Sequence, residues 1–130
     1  MECRFCSSAI KKQGLIYEDE TCFVILNEYP ISKGHVLVLS KKHFGDMLAV
    51  DDKTLSHCIV VAKEIASRIA ETLKPTGIKL IINMDGAEEL PHMHMHIIPV
   101  YGKNVELNKS YRSNRILTPE TRKELLKKLG

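Results

Sequence analysis

The sequence predicts an α+β domain with an antiparallel sheet of about five strands, one long helix and a C-terminal helix. Three observations carry that prediction. Five short segments combine alternating or continuous apolar residues with β-branched side chains, the mark of strands. Between the third and fourth, Leu55, Cys58, Ile59, Ala62, Ile65, Ala66, Ile69 and Leu73 recur at steps of three and four, an apolar stripe of helical period. The length of 130 residues fits one domain, 1–130, long enough to bury a single core without disulfide staples.

The first two strands fall at 15–18 and 22–27. Turn chemistry from Tyr29-Pro30 to Lys33-Gly34 separates them from a third at 36–40, the run Val36-Leu37-Val38-Leu39-Ser40. Asp51 and Asp52 stand as N-cap candidates where the helical stripe begins, and Pro75 stops it. Strands at 78–83 and 93–100 follow. Residues 101–117 are polar and aperiodic, with Lys103, Lys109, Arg112 and Arg115 against Glu106, and read either as a solvated connector or as a basic flap beside a phosphate site. Thr118 then offers an N-cap with Pro119 in the first helical position, opening a short helix that carries Leu125, Leu126 and Leu129.

Composition narrows the function classes. Nineteen Lys+Arg against sixteen Asp+Glu leave a net charge of +3, short of the strongly basic balance of a dedicated nucleic-acid binder, while small anionic substrates stay admissible. No apolar run approaches the roughly 20 residues of a membrane span. The opening Met1-Glu2-Cys3-Arg4-Phe5-Cys6 lacks the apolar core of a secretory signal, so the expected address is cytoplasmic and the four cysteines are expected to be reduced. Close spacing makes Cys3/Cys6 a metal or redox candidate; Cys22, Cys58 and the isolated His57 read as structural.

Half of the six histidines lie in Pro91-His92-Met93-His94-Met95-His96-Ile97-Ile98-Pro99. On a strand alternate residues share a face, so His92, His94 and His96 point one way and Met93, Met95 and Ile97 the other, into the core. The outer two have backbones about 13 Å apart, so one tetrahedral metal takes His94 with a neighbour but not all three without a strong bend. Three readings stand: surface histidines, a cupin-like metal site, or phosphate chemistry at a histidine nucleophile.

His92-Met93-His94-Met95-His96-Ile97-Ile98 resembles the signature of the histidine triad family, and the resemblance extends over roughly residues 3–100. Cys3-Arg4-Phe5-Cys6, Tyr17-Glu18-Asp19-Glu20, Asn27-Glu28-Tyr29-Pro30, Gly34-His35-Val36-Leu37-Val38 and Lys41-Lys42-His43 look like family blocks in family order. The resemblance implies a nucleotide hydrolase acting on purine nucleoside phosphoramidates or dinucleoside polyphosphates. His94 would attack the α-phosphate to form a covalent nucleotidyl-histidine, while His96 and His35 hydrogen-bond the phosphate and leaving-group oxygens. His96, which is Gln in uridylyltransferase relatives, points to the hydrolases. Asn27 matches the ribose-binding position, Phe5 and Leu26 the apolar wall against the base, and Asn83 a phosphate-side asparagine. Cys3, Cys6, His43 and His92 match a structural zinc site, and the family habit implies a homodimer.

One departure bears on the leaving group. Where the family usually carries a Gly-Gln-Ser/Thr type of loop, this chain reads Ala87-Glu88-Glu89-Leu90-Pro91, and two carboxylates near a polyphosphate repel it. A neutral or amine leaving group is then favoured over an anionic one. Two other classes remain open: a nucleotide-binding regulatory module with little turnover, and a metal-dependent enzyme using the histidines as ligands. Intact His94 and His96 favour the hydrolase over the first, and a metal requirement for activity separates the second.

Overall fold

A computed structural model describes residues 4–84, 92–102 and 116–130. Five strands, β1 (Leu15–Glu18), β2 (Cys22–Leu26), β3 (Val36–Ser40), β4 (Gly77–Ile82) and β5 (His94–Val100), form one sheet in the order β1-β2-β3-β5-β4. Every neighbouring pair is antiparallel. Each strand lies within a residue of its predicted bounds, the usual latitude of strand ends. Helices α1 (Asp52–Leu73) and α2 (Pro119–Leu129) complete the α+β architecture.

Local chemistry fixes the helix ends as expected. Asp51 Oδ2 accepts from the Thr54 amide at 3.0 Å, and Thr118 Oγ1 from the Thr121 amide at 3.2 Å. Lys74 ends α1 in the left-handed region at φ 49°, and Pro75 forbids its continuation. The buried stripe of α1 runs through Cys58, Val61, Ala62, Ile65 and Ile69. Ile59, expected on it, is turned outward and 39 % exposed, because the helix rotates Val61 onto the sheet in its place.

Both faces of the sheet are used. One packs Val24, Leu26, Val36, Val38, Met93, Met95 and Ile97 against α1 and α2, with Leu125 and Leu129 fully buried. The other collects Phe5, Ile10, Phe23, Ile25, Leu37 and Leu39 beneath two short 3-10 turns, Arg4–Cys6 and Ser8–Gln13. A third such turn, Met47–Ala49, leads into α1. Sequence periodicity predicts none of these three, since turns of three to six residues are too short to show one.

Gly34 has a tight backbone position just before β3. Its φ is +92°, and a Cβ there would sit 2.6 Å from Leu73 Cδ1 and 3.2 Å from Pro99 Cγ. Only glycine meets both demands. Among the described residues β1 and β4 are the two edge strands, and Leu80 of β4 is 47 % exposed. Among the described residues no helix is long and apolar enough to cross a membrane.

Candidate active site and metal centre

Strand alternation sends the histidines where the sequence reading put them. His94 pairs with Leu39 and His96 with Leu37, all on the face opposite α1, while Met93, Met95 and Ile97 enter the helix-side core. The loop before β3 delivers His35 to the same face. His35, His92, His94 and His96 are all buried, so each ring nitrogen needs a defined partner.

The partners fix the tautomers. The Ile31 amide can only donate, and it lies 3.1 Å from His35 Nδ1, so the His35 proton sits on Nε2. That Nε2–H donates to His96 Nδ1 at 2.9 Å, which puts the His96 proton on its own Nε2. His94 Nδ1–H donates to the His92 carbonyl at 2.6 Å, leaving the lone pair on His94 Nε2. His92 Nε2–H donates to the Ser40 carbonyl at 2.7 Å, leaving its lone pair on Nδ1. Of these two neighbouring rings, with centroids 5.0 Å apart, His94 carries its lone pair and His96 its proton on Nε2.

Burial, reinforced by the charge that a protonated His94 would add, pushes His35 down to about 3. Burial with His35 and His94 as neighbours takes His96 down to about 2. Both rings therefore stay neutral across the physiological range, which the tautomer chain requires. Burial also holds His92 below the usual value, against the opposing pull of the Ser40 carbonyl.

Asn27 and Phe5 flank this cluster. Asn27 Oδ1 is held by the Tyr29 amide at 2.9 Å, and its Nδ2 sits 3.2 Å from His35 Nε2. Both of those nitrogens carry protons, so the amide N–H groups are available to oxygen acceptors of a ligand. Phe5 meets His94 edge-on at a centroid distance of 5.0 Å. Asn83 directly follows β4, and the pairing of Ile81 with His96 and Ile82 with Met95 leads it toward the level of His94.

Leu26 is a correction. It lies in the core against α1, on the far side of the sheet from the histidines, because Cys22, Val24 and Leu26 alternate with Phe23 and Ile25. Ile25 instead shares the buried cluster of Phe5 on the histidine face, and the alternation of β2 is the signal that identifies it. Glu88 and Glu89, and most of the basic stretch, lie outside the described residues.

At the other end of the histidine strand a second set of donors converges. Cys6 Sγ lies 3.3 Å from His43 Nδ1 and 3.4 Å from His92 Nδ1. Ligand atoms around a tetrahedral zinc, with Zn–N near 2.0–2.1 Å and Zn–S near 2.3 Å, sit about 3.6 Å apart for an N/S pair. The spacing fits a zinc ion, and the Ser40 carbonyl holds His92 in the tautomer that ligation needs. Cys3, the expected fourth ligand, lies outside the described residues. His57, for which the sequence offers no partner, is exposed and meets Asp19 Oδ2 at 2.6 Å.

Comparison with known proteins agrees with this geometry. The HIT domain model matches residues 9–103. A 16.1 kDa HIT-like protein of Mycoplasma pneumoniae is 32 % identical, over 97 % of this chain and 90 % of its own length. A hypothetical histidine triad nucleotide-binding protein from Sulfolobus tokodaii superimposes with a TM-score of 0.83 at 33 % identity, covering 98 % of this chain and 89 % of that one. A zinc-bound histidine triad family protein from Mycobacterium smegmatis gives 0.77 at 28 % identity, over 99 % and 94 % of the two chains. A strand of alternating histidines on a five-stranded antiparallel sheet, and a match that spans most of the sequence, lead to one conclusion: the chain belongs to the HIT domain family.

Proposed function

We propose that the chain is a nucleotide hydrolase that cleaves at the α-phosphate of purine nucleoside phosphoramidates or dinucleoside polyphosphates through a nucleotidyl-His94 intermediate. The observation that carries this reading is the 2.6 Å hydrogen bond from His94 Nδ1 to the His92 carbonyl. It leaves the lone pair on Nε2, the nitrogen that acts as the nucleophile, and it stabilises the positive ring that forms once Nε2 is bonded to phosphorus. The bond from His94 Nε2 to phosphorus forms as the bond to the leaving group breaks. His96 Nε2–H donates to the phosphoryl or leaving-group oxygen, where negative charge develops. Water then attacks the same phosphorus, releasing the nucleoside monophosphate and returning the electron pair to Nε2.

In this reading Asn27 meets the ribose hydroxyls, Phe5 and Ile25 supply apolar wall for the base, and Asn83 serves the phosphate side. Zinc on Cys3, Cys6, His43 and His92 is structural in this scheme: it would tie the N-terminal turn to the start of the histidine strand and leave His94 and His96 to the substrate. The Mycobacterium smegmatis relative, described as zinc-bound, supports that assignment. The exposed β4 edge supports a homodimer, in which that edge and the outward residues of α1 meet their copies.

Mass spectrometry after rapid acid-free quench with an adenosine phosphoramidate tests the mechanism. The expected result is an adenylyl adduct on the peptide carrying His94, absent from His94→Ala. That variant should lose turnover while nucleotide affinity stays within roughly tenfold of wild type, since only the covalent step needs that nitrogen. Nucleotide binding by the wild type with neither turnover nor adduct would overturn the proposal in favour of a binding module.

A further inference from the structure

A second cluster of metal-binding side chains lies away from the histidine face, at the turn between β1 and β2. Asp19, Cys22 and His57 each bring a donor atom to one point, all three within 4.8 Å of one another. The 2.6 Å separation joins His57 Nε2 to Asp19 Oδ2, and Cys22 Sγ lies 3.9 Å from the same oxygen. The three residues come from a turn, the first position of a strand and the second turn of a helix, so the tertiary fold assembles the cluster.

The carboxylate is aimed. Asp19 Oδ1 accepts from the amides of Thr21 at 2.8 Å and Cys22 at 2.9 Å, which fixes the plane of the group and turns Oδ2 toward Cys22 and His57. Tyr17 Oη–H also donates to Oδ2 at 2.8 Å, an outer partner of the kind that orients metal-bound carboxylates. Burial opposes the charge, but the Cys22 amide, His57, Tyr17 and the Thr21 amide together hold the Asp19 carboxyl well below its usual range. Capping the turn accounts for Oδ1 alone. It gives no reason for a thiol and an imidazole to converge on the other oxygen.

We propose that Asp19, Cys22 and His57 form a second metal site, for a divalent ion of the zinc class, with the fourth position taken by water. The donor set of carboxylate, thiolate and imidazole is one that zinc and cobalt(II) accept in tetrahedral geometry. Tetrahedral edges of about 3.3 Å for an N/O pair and about 3.6 Å for an O/S pair bracket what is needed. The Asp19–Cys22 distance is already near that value. The His57 ring must withdraw by less than 1 Å, and it is exposed and free to do so. The ion replaces one proton: the Cys22 thiol gives its proton to solvent, while the neutral His57 ring moves its hydrogen from Nε2 to Nδ1 with no net release. Cys58, whose thiol contacts Cys22, is outside the three-atom group and is not a ligand in this arrangement.

The site is independent of the nucleotide reading, and its test uses the purified, zinc-replete protein. Cobalt(II) added to that protein is expected to give tetrahedral ligand-field bands together with a thiolate-to-cobalt charge-transfer band, at one equivalent beyond the metal already held. Cys22→Ala should remove the charge-transfer band, and His57→Gln, at an exposed position that leaves folding intact, should weaken cobalt binding at least tenfold. Cys58→Ala should keep both features. The same spectrum in Cys22→Ala and His57→Gln as in wild type, or no uptake beyond the first equivalent by wild type, would overturn the proposal.

Discussion

His35 and His96 are the residues whose burial has the widest consequence. In the unfolded chain both take up a proton near pH 6.5, whereas in the native protein they do so only near 3 and 2. Above pH 6.5 neither state is protonated and the pair adds no pH dependence. As pH falls from 6.5 toward 3, the unfolded state binds protons that the native state refuses, so stability falls with pH. At pH 5 the loss is about 2 kcal/mol for each ring, taking 1.36 kcal/mol per pH unit. Denaturant unfolding of wild type and His96→Gln at pH 7 and pH 5 checks this: the variant should lose less stability between the two by roughly that amount. Equal losses would mean the ring is solvated. The pairing of these two histidines was legible only in part. Strand alternation placed His94 and His96 on one face, but the Ile31 amide that fixes the tautomer chain comes from an irregular turn with no periodic signal.

At the scale of elements, the regular structure was legible because each piece carries its own local cause. The apolar stripe of α1, its Asp51 cap and Pro75 mark that helix, and Thr118-Pro119 marks α2. The exceptions are informative. Leu26 matches a family position for the base wall, but the strand period turns it to the helix side and brings Ile25 to the face of Phe5. The Asp19–His57 contact joins residues 38 apart along the chain, a separation at which sequence spacing says nothing. The N-terminal 3-10 turn has no strength of its own; Phe5 anchors it by packing, and Cys6 by its position between His43 and His92. Zinc at that point would close a loop of nearly the whole distance from the N-terminus to β5. Chelation should therefore lower the Tm of the protein markedly while the initial rate, measured before unfolding, changes little. A scanning calorimetry trace unmoved by chelator, with no zinc on elemental analysis, would remove the structural metal.

At the scale of the molecule, the sheet order leaves β4 with one unpaired side among the described residues and places β5 inside. An exposed edge carrying Leu80 is what folded chains usually cover or blunt with charge, and Ile59 and Val60 of α1 are exposed as well. Sedimentation equilibrium should find a dimer, and Leu80→Arg should shift it toward monomer by at least tenfold in Kd. A wild-type monomer at micromolar concentration would count against the edge as an interface.

Gly34 is where the end of α1, the end of β5 and the start of β3 come together, and its neighbour is His35. In genetic terms it is a silent member of the proposed active site. A screen for variants that are well expressed yet inactive should recover Gly34 substitutions alongside those of the histidines, although position 34 offers no functional group. Even Gly34→Ala must push Leu73 or its own backbone aside, and His35 moves with it. Activity should drop by at least tenfold in a soluble, cooperatively folding protein, with enzyme assay and thermal melt read on the same sample. Wild-type kinetics in Gly34→Ala would show that the site tolerates a shift of its third histidine.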